Sequence, residues 1–375
     1  MQLNQVLGAL ERPDQPSGQT QFHQALASKI RASLGHNPEA LELCLEQLRA
    51  LVLSDRVGFY LNIQAEWQNN TLLLQGETER LEFKSIVREV FRQLGFASIS
   101  DEVQIVPDAA THPRPFAITT APHALTWSKP SLDGNPMDEA LYGEPVYILQ
   151  ELSDAYLIKT LTGYWGYADK AHFRRAEHAE FVHQLNQPRV TLLQDYNTAD
   201  KPIPAGSRLL LAPDTTPDRV QGIDAFGNSI ELPQTICQPP AYSPARMEDA
   251  IRFARSFLHA PYQLGGKNRS TGIDCSALVQ LTFRVLGIHL PRDAKQQYLG
   301  GHLILPCVRE ALLPGDALFF MNPSGLVDHV ALYLGNQTLL HATGTSVRLN
   351  STNPEDPDYL HRLTHDFIGA KRFWS

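Results

Sequence analysis

The hydrophobic positions change period several times along the chain, and those changes divide it. Phe22, Leu26, Ile30 and Leu34 recur at every fourth residue. Leu41, Leu45, Leu48 and Val52 do the same after Pro38, so residues 19–54 read as helical. At Phe59 the period drops to two. Phe59, Leu61, Ile63, Ala65 and Trp67 alternate with Tyr60, Asn62, Gln64 and Glu66, as a half-buried strand does. Asn69-Asn70 supply a turn, and Thr71 to Gln75 return as a second strand. A helix follows over Leu81 to Leu94, with Ile86, Val87, Val90 and Phe91 inward and Gly95 as its stop. Val103 to Val106 make a last strand before Pro107.

These elements predict a helical plus ββαβ domain over residues 1–110. It resembles the small BON-like folds by pattern alone, and its plainest role is that of a spacer or docking domain. Residues 107–136 are rich in Pro, Thr and His with few periodic positions, which suits a linker or the approach to a barrel. From there to about 236 the chain is short strands and turns. Glu144 to Leu149, Tyr156 to Lys159 and Tyr164 to Ala168 form one set; Val190 to Leu193, Arg208 to Leu211 and Val220 to Asp224 form another. Such spacing predicts two small β-barrels, over 111–183 and 184–240. The first resembles a bacterial SH3-like domain through Leu141-Tyr142-Gly143-Glu144 and Gly163-Tyr164-Trp165-Gly166-Tyr167, and the second reads as a more degenerate copy. Pro239-Pro240 and Ser243-Pro244 make a stiff linker. A helix beginning at Ala245 or Met247 then opens a C-terminal domain, 241–375.

Composition narrows the function. A chain of 375 residues, 43% hydrophobic and 19% charged, holds more than one core. Its net charge of −8 and lack of a Lys/Arg run argue against nucleic acid as a partner. No stretch reaches the ~18 apolar residues of a membrane helix, so membrane insertion is not expected. Met1 to Pro16 carries Asn4, Glu11, Arg12 and Asp14 and lacks a basic segment followed by an apolar one. No secretory signal is therefore visible, and a cytoplasmic location is expected; a trimmed start would leave a periplasmic or secreted protein as the alternative. Cys44, Cys237, Cys275 and Cys307 share no CxxC spacing, which suggests neither a disulfide framework nor a zinc site. No cofactor is implied.

Asp274-Cys275-Ser276 sits where a loop containing Gly265, Gly266 and Gly272 becomes a helix. Leu278, Leu281 and Val285 share one face of that helix, and Gly287 stands in the position that ends it. Asp274 suits the N-cap. Cys275 is then the first helical residue, where unpaired amides and the helix dipole favour a thiolate. A base comes from elsewhere. Asp328 to Gly335 alternates as a strand, with Val330, Leu332 and Leu334 on one side and His329, Ala331 and Tyr333 on the other. Gly335-Asn336-Gln337 reads as a three-residue hairpin loop, after which Leu339-Leu340-His341-Ala342 returns. That register puts His341 on the face of His329, at a diagonal position roughly 7–8 Å away. A two-residue loop would put the histidines on opposite faces. The pair suits a base, His329, and a second polar group, His341, that orients its ring.

Residues 245–375 resemble the NlpC-type cell-wall cysteine peptidases, which are papain-like α+β domains. The matching segments come in family order: Pro261-Tyr262-Gln263-Leu264-Gly265-Gly266, Gly272-Ile273-Asp274-Cys275-Ser276, Leu290-Pro291-Arg292-Asp293-Ala294, Leu313-Pro314-Gly315-Asp316-Ala317, Asp328-His329-Val330 and His341-Ala342. Ala277 stands where many members have glycine, and Gln263-Leu264 replaces a more usual aromatic. The resemblance implies Cys275 as nucleophile, His329 as base and His341 as third polar member. It also puts Tyr262 beside the nucleophile and the Cys275 amide in an oxyanion hole.

In that family the bond cut is usually γ-D-glutamyl to an L-diamino acid in murein stem peptides. Members with SH3-like barrels ahead of the catalytic domain resemble this layout. There a barrel walls off one end of the groove, so that only a peptide with a free N-terminal L-alanine fits. Asp274 is the candidate partner for that amine, a role compatible with being a plain helix cap. Tyr164 is the candidate barrel residue closing the pocket, or else a core aromatic. Glu144 is a weaker candidate and reads as a solvated turn residue. The expected partner is L-Ala-γ-D-Glu-diaminopimelate, cut during cell-wall peptide recycling. The alternatives are a secreted hydrolase acting on intact wall, an acyltransferase or amidase on the same fold, and a non-catalytic scaffold. The oligomeric state has no signal in the sequence.

Overall fold

In the computed structural model the described residues are 18–34, 41–52, 58–108, 114–198, 201–212, 218–238 and 242–374. Pro38 and the Pro239-Pro240 linker lie outside them. The chain divides into Met1–Pro113 and Arg114–Ser375.

In the first unit the four-residue stripe folds into helices Gly18–Leu34 and Leu41–Val52. Leu26, Ile30, Leu41, Leu45 and Leu48 are buried, whereas Phe22, expected inward, is 47% exposed. Strand Leu61–Gln68 pairs antiparallel with Thr71–Thr78 through Asn69-Asn70, both at positive φ as a tight hairpin requires. Helix Leu81–Leu94 ends at Gly95 with φ 108, as its sequence predicts. The last strand is split: Ile99–Asp101 and Gln104–Ile105 both run parallel to Thr71–Thr78. Among the described residues no helix is long and apolar enough to cross a membrane.

The second unit begins with a seven-stranded sheet over residues 116–176. Strands Pro145–Glu151, Ala155–Lys159 and Trp165–Asp169 are those the alternation predicts. The segment expected to be linker supplies Phe116–Thr119 and His123–Trp127 as well, and Pro136–Leu141 pairs with the latter. Their polar look misleads. Thr119 and Thr126 are fully buried because their hydroxyls donate to the backbone carbonyls of Glu144 and Asp138. A five-stranded sheet over 189–238 follows.

The rest packs helices against a six-stranded sheet, in spatial order His302–Ile304, Phe367–Arg372, Ala317–Met321, Val327–Gly335, Thr338–Thr343 and Ser346–Ser351. Helix Cys275–Val285 is buried along its whole length, not on one face only. An element so enclosed must satisfy its polar side chains internally. Thr282 donates to the Leu278 carbonyl, the Gln280 amide nitrogen to Leu290, and Arg284 to Glu144 at 2.9 Å and to the Gly206 carbonyl. Glu144 is thus no solvated turn residue: it is 2% exposed and paired to the central helix from across the sheet boundary.

Candidate active site

The loop before the central helix is forced tight at Gly272, which sits at φ +131 with room for no Cβ; one would stand 2.4 Å from the Gln263 Cβ. Asp274 follows in extended conformation and caps the helix, its Oδ1 accepting from the Ala277 amide at 2.8 Å. Cys275 is therefore the first helical residue and is buried, and the backbone amides of Val330 and Ser276 favour its thiolate. Val330 lies next to His329 on strand Val327–Gly335.

The hairpin reaches the predicted register by an unpredicted route. Its turn is two residues, Asn336 and Gln337, with φ 46 and 58, closed by Gly335 opposite Thr338. A register shift between Tyr333 and Gly335 inserts one extra residue, and beyond it Leu332 faces Leu340. The bulge does what a three-residue loop was expected to do, and the two histidines share a face. His329 Nε2 lies 2.8 Å from His341 Nδ1. His341 Nε2 lies 2.9 Å from Asn350 Oδ1 on strand Ser346–Ser351.

This chain fixes the protons. Asn350 Nδ2 donates to the Asp358 carbonyl at 2.7 Å, so its Oδ1 must be the atom facing His341. That oxygen only accepts, so His341 carries its proton on Nε2 and presents a lone pair at Nδ1. His329 in turn donates from Nε2, which leaves its Nδ1 as the basic nitrogen. Asn350 lay in no motif and was not singled out in the sequence.

Burial sets the charge states. It pushes the Cys275 thiol up to about 12, with Asp274 adding to the rise and the two amides and Arg292 opposing it. Burial also holds His329 well below the ordinary imidazole value, with His341 and Arg362 adding. The helix N-terminus argues for a thiolate, but here desolvation outweighs it. Burial thus disfavours the charged form of each group, and the arrangement is competent for attack in which the imidazole takes the thiol proton as the sulfur bonds to carbon.

Asp274 touches more than the helix. Its Oδ1 also accepts from the Ser276 hydroxyl at 3.1 Å and Arg292 Nη1 at 2.9 Å. Its Oδ2 accepts from the Gly265 amide at 2.8 Å and Arg292 Nη2 at 2.6 Å. The cap role is therefore what the geometry displays, and a substrate ammonium would have to share oxygens already bonded. Arg292 continues outward, its Nε donating to Asp138 Oδ1 at 2.6 Å on strand Pro136–Leu141. Lys267 Nζ stands 2.7 Å from the same oxygen as an ion pair. The Thr160 and Thr162 hydroxyls each donate to Asp138 Oδ2 at 2.7 Å. Asp138, Lys267 and Arg292 are all at most 1% exposed. The two cations hold Asp138 well below the usual carboxylate range against its own desolvation.

Tyr164 is buried at the same boundary, its hydroxyl donating to Gln296 Oε1 at 3.5 Å. Tyr262 packs against the core cluster that contains Cys275; burial first, then the nearby Cys275 and Asp274, pushes its hydroxyl up. Among the described residues no group of three or more His, Cys, Asp or Glu could hold a metal ion.

Residues 259–366 match the NlpC/P60 family. The chain is 29% identical over 272 residues to dipeptidyl-peptidase 6 of Lysinibacillus sphaericus, covering 66% of this chain and 95% of that protein. It is also 29% identical over 128 residues to the γ-D-glutamyl-L-lysine dipeptidyl-peptidase of Bacillus cereus, but this spans only 34% of the chain and 36% of that relative. The crystal structure of an NlpC/P60 family protein from Bacillus cereus superposes with a TM-score of 0.57 at 20% identity, covering 69% of this chain and all of that one, a likeness of fold.

Proposed function

Since residues 259–366 are an NlpC/P60 domain, the papain-like α+β fold of a peptidoglycan endopeptidase family, we propose that Cys275 is its nucleophile, His329 its base and His341 the residue that orients the base. The observation that carries this is the chain Asn350–His341–His329, which leaves one basic nitrogen on the strand whose Val330 amide favours the Cys275 thiolate. The sulfur attacks an amide carbonyl while His329 takes its proton; His329 then protonates the leaving amine, and water releases the acyl group. The amide of Cys275 serves the oxyanion, and Tyr262 lines the site.

The substrate we propose is L-Ala-γ-D-Glu-diaminopimelate, cut at the γ-D-glutamyl bond. A seven-stranded and a five-stranded sheet, which we read as SH3-like barrels, precede the catalytic domain, and the first abuts it through Asp138 and Tyr164. This supports a groove closed at one end, where Tyr164 stands as a wall and the oxygens of Asp274 are shared between Arg292 and the peptide's free amine. A closed groove admits short released peptides, so recycling in the cytoplasm is the proposed setting. The names of the Lysinibacillus and Bacillus relatives agree with dipeptide release.

Mass spectrometry of the purified protein with L-Ala-γ-D-Glu-meso-diaminopimelate, its N-acetylated twin and a Cys275→Ala control tests the reading. Release of L-Ala-D-Glu from the free-amine peptide alone, abolished in the control, is expected. Equal cleavage of both peptides would remove amine recognition and favour action on intact wall. Cleavage of neither would overturn the peptidase assignment.

A further inference from the structure

A cavity of about 430 Å³ lies away from Cys275, where the C-terminal half of the central helix meets the two barrels. At 1.5 Å per residue, Arg284 is roughly 13 Å along the helix from the nucleophile. Three guanidinium groups line this cavity: Arg189, Arg208 and Arg284. Their partners are unequal. Arg189 is saturated by the Gln184 carbonyl and side chain and by the carbonyls of Gly143 and Arg208. Arg284 is paired with Glu144 and the Gly206 carbonyl. Arg208 has a buried Nε with no partner among the described residues.

Charge does not balance around it. Glu144 is the carboxylate that acts on these groups, and it is shared by Arg284, Lys267 and Arg208. Burial, followed by Arg284, brings Arg208 down to about 9, so the site disfavours its own cation as it stands. His289, on the same wall, is held below its ordinary value by burial and by Arg208 and Arg284. A half-buried guanidinium whose Nε lacks a hydrogen-bond partner is costly, and an anion relieves it. Gln280, also on the wall, has its Oε1 buried without a partner, and that atom would accept from a ligand that carries a hydroxyl hydrogen. Leu161, Leu185 and Ile288 leave part of the wall apolar.

We propose that this cavity binds a small phosphate-type oxyanion, its oxygens taken by Arg208 beside Arg284 and its P–OH by Gln280. The proposal is independent of the reading of Cys275. A phosphate group supplies both the negative oxygens and the hydroxyl hydrogen, whereas an ionised carboxylate supplies only the first.

Titration calorimetry and thermal melting of the full chain with inorganic phosphate, against acetate and sodium chloride at equal ionic strength, test it. Phosphate should raise the melting midpoint of the wild type beyond the salt control, with acetate weaker. Arg208→Met should weaken phosphate binding at least about tenfold and should melt no lower than wild type in anion-free buffer, because it removes a guanidinium whose buried Nε has no hydrogen-bond partner. Should Arg208→Met not fold, Arg208→Lys keeps the charge and loses the planar fork, and a weakening of about tenfold is expected there too. Phosphate acting no differently from chloride, or binding unchanged in the folded Arg208 variant, would overturn the proposal. Acetate binding as tightly as phosphate would overturn the part assigned to Gln280.

Discussion

Asp138→Asn isolates the buried charge cluster beneath Cys275. Asn keeps the shape of the side chain and an oxygen for the Thr160 and Thr162 hydroxyls, so what it removes is the charge facing Arg292 and Lys267. In the wild type two cations, Arg292 and Lys267, face two carboxylates, Asp138 and Asp274. The variant leaves one positive charge uncompensated in a site no more than 1% exposed. Breaking a buried pair from one side costs about 3–5 kcal/mol. That is a fifth or more of the ~5–15 kcal/mol typical of a domain. It corresponds to a fall of about 6–20 °C in the midpoint of the unit carrying the site. Calorimetry would read this, and Asp138→Asn/Lys267→Met supplies the internal control. Removing the second charge restores neutrality, so the double variant should recover at least about 1 kcal/mol over the sum of the singles. Acid titration gives a third reading. A depressed carboxylate contributes its stability above the unfolded value near 4 and loses it as pH falls below that, so the variant should show less acid loss in that window. A drop of under about 1 kcal/mol, or strict additivity in the double variant, would refute the argument.

Asn350→Ala should lower kcat roughly ten- to hundredfold with little change in KM, because His341 no longer holds its proton on Nε2; steady-state kinetics on the tripeptide decides. The depressed value of His329 keeps it a neutral base until pH falls through that value, so the acid limb of the rate profile should lie below pH 6.5. A limb at or above 6.5 would show that burial does not govern it. With its thiol pushed up to about 12, Cys275 should show no thiolate ultraviolet step between about pH 5 and 9, measured as a difference from Cys275→Ser. A step there would mean that a resting ion pair exists.

What the sequence discloses is what local pattern determines. The Gly272 turn, the Asp274 cap and the alternation around His329 are each set within a few residues, and all are legible. The register of the hairpin was legible too, although the device was not: a bulge before a two-residue turn and a plain three-residue loop leave the same hydrophobic pattern. Asn350 escapes because an amide on a third strand has no spacing rule linking it to His341. Asp138 and Arg292 are 154 residues apart, and neither position announces burial, since a charged residue reads as surface until its partner is known. Glu144 was misread for that reason, with Arg284 waiting 140 residues away. The strands at Phe116–Thr119 and His123–Trp127 were hidden by threonines that the fold buries.

The seam beneath Cys275 also ties loop backbone to carboxylate side chains. The Lys267 amide donates to Glu139 Oε2 at 2.5 Å, and the Gly265 amide donates to Asp274. Opening the loop that precedes Cys275 therefore means releasing a carboxylate that belongs to the seven-stranded sheet. In hydrogen exchange these amides should share one slow opening with strand Pro136–Leu141, so that the loop has no fast fluctuation of its own. A fragment cut between the seven-stranded sheet and the NlpC/P60-matching segment would take Lys267, Arg284 and Arg292 with it and leave Asp138, Glu139 and Glu144 behind. What reads as a string of separable modules along the chain is, at this boundary, one cooperative unit.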